Sequence, residues 1–319
     1  SISQSRATAG LFSYFGNVDY DYNTRYGVGV TVRRDASFRF ADSNRWGTFY
    51  SVSARWNISN EKFMENATAV TDLKLRGSYG TAGNQDIMGT GLFGGANLYQ
   101  TLYGFGRGYN NEPSLMLTQL PNPDLKWETI TQSNIGLDFG LWENRLRGTI
   151  DVYQKKTTDL YQTKPISAIN GTTGLSANIG SLRNRGVELL LAADVIKNDN
   201  LKLTLNVNGS YNKNELLDIP SEDGIIWNGG AQIMREGDML YQYFVYKYAG
   251  VNPANGNLWF YDKDGNTTEK PTDDDRVYTN KSPLPVYQGG FGFDVDYKGF
   301  FLSTQFSYAL KVYRFDSDY

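Results

Sequence analysis

Carboxylates are the residues of this chain that could support acid–base or metal chemistry, because it contains neither thiols nor imidazoles. The 319 residues include 34 Asp and Glu but no Cys and no His. Without Cys there is no disulfide, zinc thiolate or thiol nucleophile, and without His the commonest general base and metal ligand is missing. A Ser–His–Asp triad is therefore excluded.

Two acidic segments are candidates for cation binding. Residues 262–266 read DKDGN, whereas an EF-hand loop needs Gly at its sixth position and a bidentate Glu at its twelfth. Asp264-Gly265 is instead a favoured pair for a tight hairpin turn. The acidic run 273–275 could hold a cation or form a solvated loop. We expect a turn and a loop here, and we predict no metal and no cofactor.

No pair of carboxylates stands out for glycoside hydrolysis, the reaction that two such groups support. Asp138, Asp151, Asp294 and Asp296 occupy polar positions of predicted strands, and the lining of a wet pore explains them without catalysis. Residues 104–108 read GFGRG, which is not the nucleotide fingerprint G-x-G-x-x-G. The net charge of −3 offers no basic field for nucleic acid. We therefore predict that the protein binds no nucleic acid, while glycoside hydrolysis by one of the many Asp and Glu side chains stays an alternative.

Aromatic side chains in long loops are the remaining candidates for a binding site. The loops 81–126 and 214–241 contain Tyr99, Tyr103, Phe105, Tyr109 and Trp227. Aromatic faces stack on sugar rings or pack on peptide side chains, and binding residues concentrate in exposed loops. Packing between loops, or contact with a partner protein, would explain the same residues. We select Tyr99, Tyr103, Tyr109 and Trp227 as candidate substrate-binding residues.

β-Strands must position these loops, because apolar and polar residues alternate along most of the chain. In the segment 201–211, Leu201, Leu203, Leu205 and Val207 alternate with polar residues. Successive side chains of a strand point to opposite faces, so one face is apolar and the other polar. The same alternation marks about twelve segments, including two near 242–250 and 257–262. Residues 58–71 are compatible with a small helix.

The distribution of turns and loops indicates a barrel in a membrane. The longest apolar run, 189–193, is far shorter than the ~20 residues of a membrane-spanning helix, so strands must form any span. Short turns such as Lys298-Gly299 fall on one side and long loops on the other, as in outer-membrane barrels. The sequence predicts an all-β fold, an antiparallel transmembrane β-barrel or part of its wall.

Several passages resemble TonB-dependent outer-membrane transporters of the SusC/RagA type. They are LKLRGSYGTAGNQ at 73–85, NPDLKWE at 122–128, NIGSLRNRGVEL at 178–189, YAGVNPANGNLWFYDKDGN at 248–266, DDDR at 273–276 and SPLP at 282–285. None is a strong motif alone, but their order and spacing extend over most of residues 7–310. Together they are specific for the family.

The resemblance implies a partial barrel. Family members carry a signal peptide, an N-terminal plug and a 22-stranded barrel. Residues 1–319 then represent the C-terminal part of the barrel, with about 12 of an expected 22 strands. The plug domain, the early strands and the closing strands are expected to be absent from this segment. Because two sheet edges would stay unpaired, the segment alone is not expected to form a pore.

The resemblance also implies a function, namely TonB-dependent active import of an oligosaccharide or oligopeptide across the outer membrane of a Gram-negative bacterium. Such transport breaks no bond, so the resemblance implies that the protein is not an enzyme. The implied partners are a SusD-like surface lipoprotein, outer-membrane lipid, and the TonB–ExbB–ExbD complex acting through the plug. The alternative is a secreted β-rich glycan-binding module or hydrolase. A reading frame that begins near Ser1 would favour this alternative.

Overall fold

The computed structural model describes residues 9–86, 98–221, 224–227 and 230–316. Its strands, in chain order, are β1 (Leu11–Tyr22), β2 (Tyr26–Ser37), β3 (Trp46–Asn57), β4 (Val70–Asn84), β5 (Leu102–Arg107), β6 (Pro113–Gln119), β7 (Glu128–Leu141), β8 (Leu146–Thr158), β9 (Tyr161–Pro165), β10 (Gly174–Asn178), β11 (Ser181–Lys197), β12 (Leu201–Asp218), β13 (Ile225–Trp227), β14 (Gln232–Arg235), β15 (Gln242–Tyr246), β16 (Tyr248–Val251), β17 (Leu258–Tyr261), β18 (Thr267–Thr268), β19 (Arg276–Tyr278), β20 (Tyr287–Tyr297) and β21 (Phe300–Leu310). The described helices are short 3-10 turns, and none is long and apolar enough to cross a membrane.

Ten long strands form one antiparallel sheet, which we call the wall. Its strand order is β1-β2-β3-β4-β7-β8-β11-β12-β20-β21. Every wall strand therefore pairs with the previous and the next wall strand along the chain. The other strands form small sheets within the connections. The outer edges of β1 and β21 pair with no strand in the described ranges.

The register places apolar side chains in continuous rows on one face of the wall. One row runs through Tyr22, Tyr26, Trp56, Leu75, Leu137, Ile150 and Leu189, which are paired neighbours on seven successive strands. A parallel row contains Ile135, Val152 and Val187, which are 63%, 54% and 42% exposed. An apolar face that no other part of the described chain covers fits contact with lipid hydrocarbon.

The opposite, inner face of the wall is polar and carries ion pairs. Arg76 lies between two carboxylates, with nitrogen–oxygen distances of 3.1 Å to Asp138 and 2.7 Å to Asp151. Lys74 adds a contact of 3.1 Å to Asp138. These charges belong to three different strands, so the register of the whole sheet brings them together.

The connections differ sharply in length between the two ends of the wall. At one end β1–β2, β7–β8, β11–β12 and β20–β21 are joined by tight turns. At Lys298-Gly299 both central residues have positive φ, 49° and 89°, as a two-residue hairpin turn requires. At the other end the connections 85–127, 159–180 and 219–286 contain small sheets of their own. The predicted asymmetry is confirmed.

Three details of the predicted strand pattern were wrong. The wall has ten described strands rather than about twelve, because the segments near 242–250 and 257–262 belong to small sheets in the last long connection. Residues 58–71 contain two 3-10 turns, Ile58–Asn60 and Lys62–Met64, and the start of β4 instead of a helix. The long connections also contain hairpins that the irregular composition did not reveal.

Candidate functional site

A hydrophobic cluster at the end of the wall joins the connection 38–45 to the long connection 85–127. The loop core, as we name it, consists of Phe40, Phe49, Leu98, Leu125 and Trp127. Phe40 and Leu125 are fully buried, and the rings of Phe40 and Trp127 lie 5.5 Å apart. Since Phe40, Leu98 and Leu125 are far apart in the chain and lie outside the wall strands, the loop core holds these connections together. It gives the loops a fixed base.

The first predicted site residue, Tyr99, packs against this loop core. Its ring is partly buried there, next to Leu98. Part of the aromatic surface of Tyr99 is therefore used for packing between loops, one of the explanations that the sequence left open. The partly exposed remainder is the surface available to a ligand.

Tyr103 and Tyr109 lie on the hairpin formed by β5 and β6. Tyr103 pairs with Leu117 and Phe105 pairs with Leu115, so these four side chains share one face of the hairpin. Tyr103 is 65% exposed and Tyr109, beyond the end of β5, is 97% exposed. The hairpin thus presents aromatic rings to solvent at the end of the wall where the long connections lie.

Trp227 lies in a different small sheet, formed by β13, β14, β15 and β19. Its ring contacts Phe244 at 5.4 Å between centroids, and the Arg276 guanidinium lies 5.3 Å from the indole centroid. Half of the Trp227 side chain is exposed. Arg276 is itself fixed, because it donates hydrogen bonds to Asp273 and to the carbonyl of Gly230. A ring held in this way can offer a preset face to a ligand.

The structure therefore does not gather the four predicted residues into one cluster. In the described part of the chain, no ring contact joins any two of Tyr99, Tyr103, Tyr109 and Trp227. Tyr103 and Tyr109 lie on one exposed platform, the β5–β6 hairpin, and Trp227 lies on a second, its own small sheet, whereas Tyr99 packs on the loop core. Phe244 and Arg276, which support Trp227, could not be identified from local sequence, because the antiparallel pairing of β15 with β19 brings them together.

The two acidic segments are structural turns. The Asp262 carboxylate accepts hydrogen bonds from the backbone N–H groups of Asp264 and Asn266, and Gly265 has a φ of +87°. In the run 273–275, Asp273 and Asp274 are exposed, as expected for a solvated loop, whereas Asp275 caps a 3-10 turn and is buried. Among the residues described, no group of three or more potential ligands could hold a metal ion.

Glu269 is the most strongly perturbed carboxylate of the long connections. Its oxygens accept hydrogen bonds from the side-chain amides of Asn252, Asn255 and Asn257, at 2.5, 2.9 and 2.8 Å. These bonds, that from Asn257 first among them, lower the pKa of Glu269 to about 2. They favour the ionised carboxylate, and through them Glu269 holds the loop 252–257 next to the strand pair β17–β18.

We expect the hydrogen bonds between Glu269 and the loop 252–257 to weaken at low pH. The pKa of Glu269 lies below its ordinary value of 4.5 in the folded state, so its stabilising contribution is complete above pH 4.5 and is lost as the pH falls towards 2. Hydrogen exchange of residues 252–258 in the detergent-solubilised protein, corrected for intrinsic rates, should show declining protection between about pH 5 and pH 2.5. Glu269→Gln should reduce protection at the upper end of this range and remove the decline. Equal pH dependence in both proteins would contradict the assignment.

Comparison with known proteins gives one consistent result. The sequence matches the family described as TonB dependent receptor-like, beta-barrel, over residues 1–319. It is 32% identical over 357 residues to the TonB-dependent receptor P39 of Formosa agariphila, a match that covers 96% of this chain and 33% of that protein. It is 33% identical over 322 residues to the TonB-dependent receptor SusC of Bacteroides thetaiotaomicron, covering 95% of this chain and 31% of that protein.

The structure gives a similar match. The RagAB peptide importer in its closed-closed state superposes with a TM-score of 0.85 at 30% sequence identity, over 96% of this chain and 34% of that chain. The present chain spans about a third of the length of the curated relatives that it matches.

Proposed function

The chain belongs to the TonB-dependent receptor-like β-barrel family, with relatives of the SusC/RagA type, and from this we propose that residues 1–319 form the later part of the barrel of a nutrient transporter. Family membership places the protein in the outer membrane of a Gram-negative bacterium. The transporter imports an oligosaccharide or an oligopeptide. The observation that carries this proposal is the amphipathic wall, apolar on its outer face and ion-paired on its inner face.

The proposed transport is active and needs partners. The TonB–ExbB–ExbD complex supplies energy through a plug domain that lies outside residues 1–319. A SusD-like lipoprotein covers the long connections on the cell surface. The exposed apolar face of the β5–β6 hairpin supports contact at this end of the wall, either with substrate or with the lipoprotein. Transport breaks no covalent bond of the substrate, so we assign no catalytic residue.

We further propose that Tyr99, Tyr103, Tyr109 and Trp227 contact the substrate. Tyr103 and Trp227 carry this assignment, because both rings are at least half exposed on structured platforms. Removing either ring should raise the substrate concentration for half-maximal uptake about fivefold, the equivalent of about 1 kcal/mol for one aromatic contact. The test is growth and uptake of a strain carrying the full-length transporter with Tyr103→Ala or Trp227→Ala, on a panel of glycans and peptides.

The matched control is Ile169→Ala. Ile169 is 91% exposed in the neighbouring long connection, so its removal takes away an exposed apolar side chain that has no aromatic face. Uptake by this variant should be unchanged. Normal uptake of every required nutrient by Tyr103→Ala and Trp227→Ala, with the barrel assembled, would contradict the site. Co-purification of the lipoprotein with each variant separates substrate contact from partner contact.

A further inference from the structure

Basic side chains collect on the outer, apolar face of the wall, near the ends of β8, β11 and β12 that join the long connections. Val152, Val187 and Tyr211 are paired neighbours in one apolar row of this face. Alternate residues of a strand share a face, so the next two outer-face rows follow from the register. Toward the long connections these rows contain Gln154, Arg185 and Lys213, and then Lys156, Arg183 and Glu215.

The four cations of these rows outnumber the nearby carboxylates. We call Lys156, Arg183, Arg185 and Lys213 the basic patch. Glu215 accepts contacts from the Nη2 atoms of both arginines, at 2.8 Å from Arg183 and 3.6 Å from Arg185. Asp218, one row further out and opposite Ser181, adds one more negative charge. Four cations against two carboxylates leave this region with a net charge of +2.

Both lysines of the basic patch are available to a ligand. Lys156 and Lys213 are exposed. In the ranges that the structure describes, no hydrogen bond or ion pair engages their ammonium groups. The Glu215 carboxylate is already shared by the two arginines, and the Arg185 side chain is still 48% exposed. The basic patch therefore offers unneutralised charge on a face that is otherwise apolar.

The charge lies at one end of this outer face. Toward the tight turns, the same three strands have apolar residues or glycine at their outer-face positions, as in the row Leu146, Ala193 and Leu205. Arg34, on the outer face of β2, also lies near the end with the long connections, and its guanidinium is 5.0 Å from the Trp46 ring centroid. Cations that only kept their charged groups in water would be equally suitable at both ends. The asymmetry therefore indicates an anionic partner on one side of the membrane.

The order of the rows along the strands matches the order of groups in a phospholipid. Val187 lies two residues from Arg185 and four from Arg183, about 7 and 13 Å along β11. Hydrocarbon chains beside Val187 therefore place their headgroup beside the basic patch. Guanidinium groups bind phosphate oxygens through paired N–H bonds, and lysine ammonium groups add point charges. A soluble anion would contact the basic patch alone and leave the adjoining apolar row uncovered.

We propose that the basic patch binds the phosphate-bearing headgroup of an anionic lipid, in the membrane leaflet on the side of the long connections. The acyl chains of this lipid lie along Val152, Val187 and Tyr211. The site is more specific than general contact of the wall with lipid, because four named residues select one headgroup chemistry. It rests on the outer-membrane barrel and is independent of nutrient import.

Binding of short-chain lipids to the purified full-length protein in a neutral detergent tests the proposal. The probes are dioctanoyl phosphatidic acid and dioctanoyl phosphatidylcholine, which has the same chains and a zwitterionic headgroup. Native mass spectrometry counts the bound lipids and gives the dissociation constant of the tightest one. A lysine near an anionic lipid surface contributes about fivefold to affinity. Lys156→Gln and Lys213→Gln should therefore each lower the preference for phosphatidic acid about fivefold and leave phosphatidylcholine binding unchanged.

Lys155→Gln is the matched control. Lys155 adjoins Lys156 in β8 but lies on the inner face, where it pairs with Gln132 and Asn184. This variant should bind both lipids as the wild type does. A double variant, Lys156→Gln with Lys213→Gln, that keeps the wild-type preference for phosphatidic acid would overturn the proposal.

Two other outcomes would assign the basic patch to a different partner and would also overturn the proposal. One is displacement of phosphatidic acid by an equal concentration of inorganic phosphate, which would indicate a site for a soluble anion. The other is loss of a bound protein, instead of a lipid, from the double variant. These measurements need neither uptake nor a nutrient, so their failure is distinct from failure of the proposed transport.

Discussion

Replacing Gly186 with alanine is expected to destabilise the wall by about 1–3 kcal/mol, the range for forcing an extra carbon into a filled site. A Cβ at Gly186 would lie 2.1 Å from the backbone oxygen of Tyr211 and 2.8 Å from the Tyr153 hydroxyl oxygen. Tyr153 crosses β11 at this glycine to donate a hydrogen bond to Asn212 on β12, at 2.9 Å. Gly186 therefore leaves the space through which the Tyr153 side chain reaches from β8 across β11 to β12.

The measurement is the denaturant midpoint of the refolded full-length receptor, together with the yield of the heat-modifiable form in membranes. Gly77→Ala is the matched control, because Gly77 lies in β4 between two wall strands and a Cβ there meets its nearest atom at 3.8 Å. Gly77→Ala should leave both values unchanged. If the two variants were equally stable, the close approach at Gly186 would not limit the wall.

The wall was largely predictable because one of its faces contacts lipid and the other contacts water. A lipid-facing row and a water-facing row impose period-two alternation on every wall strand, and this signal needs no knowledge of pairing. The turns were also predictable where glycine or a polar pair marks them, as at Lys298-Gly299. The local sequence is therefore enough to identify the strands and the turns that end the hairpins.

The same local signal fails where strands are short. The segments 242–246 and 258–261 are rich in the aromatic and β-branched residues that favour strands, yet they pair within the last long connection. A strand-forming composition does not identify the partner of a strand. For this reason two extra wall strands were predicted.

Side-chain contacts between distant segments could not be predicted from local sequence either. Arg76 meets Asp151 only because β4, β7 and β8 adopt one register. The same holds for Arg276 beside Trp227. The aromatic candidates were chosen by residue type and loop position, which cannot distinguish a ring packed on the loop core, such as Tyr99, from an exposed one, such as Tyr103.

Phe40→Ala is expected to loosen the long connections while the wall stays assembled. Phe40 is fully buried in the loop core and packs against Trp127, so its removal leaves a cavity that should cost about 3–5 kcal/mol. The wall keeps its ladder of strand pairs, because Phe40 lies outside β2 and β3. Limited proteolysis of the full-length receptor should show faster cleavage in the connection between β4 and β7, with an unchanged heat-modifiable barrel.

Phe105→Ala separates support of the loops from contact with a ligand. Phe105 is the same residue type but is 90% exposed on the β5–β6 hairpin, so its loss should change stability by less than about 0.5 kcal/mol. If the hairpin contacts substrate, this variant should weaken uptake without faster proteolysis, whereas Phe40→Ala should show both effects. Equal proteolysis of the two variants would mean that the loop core does not hold the connections. The exposed aromatics of the β5–β6 hairpin can act as a preset binding surface only if that core is rigid.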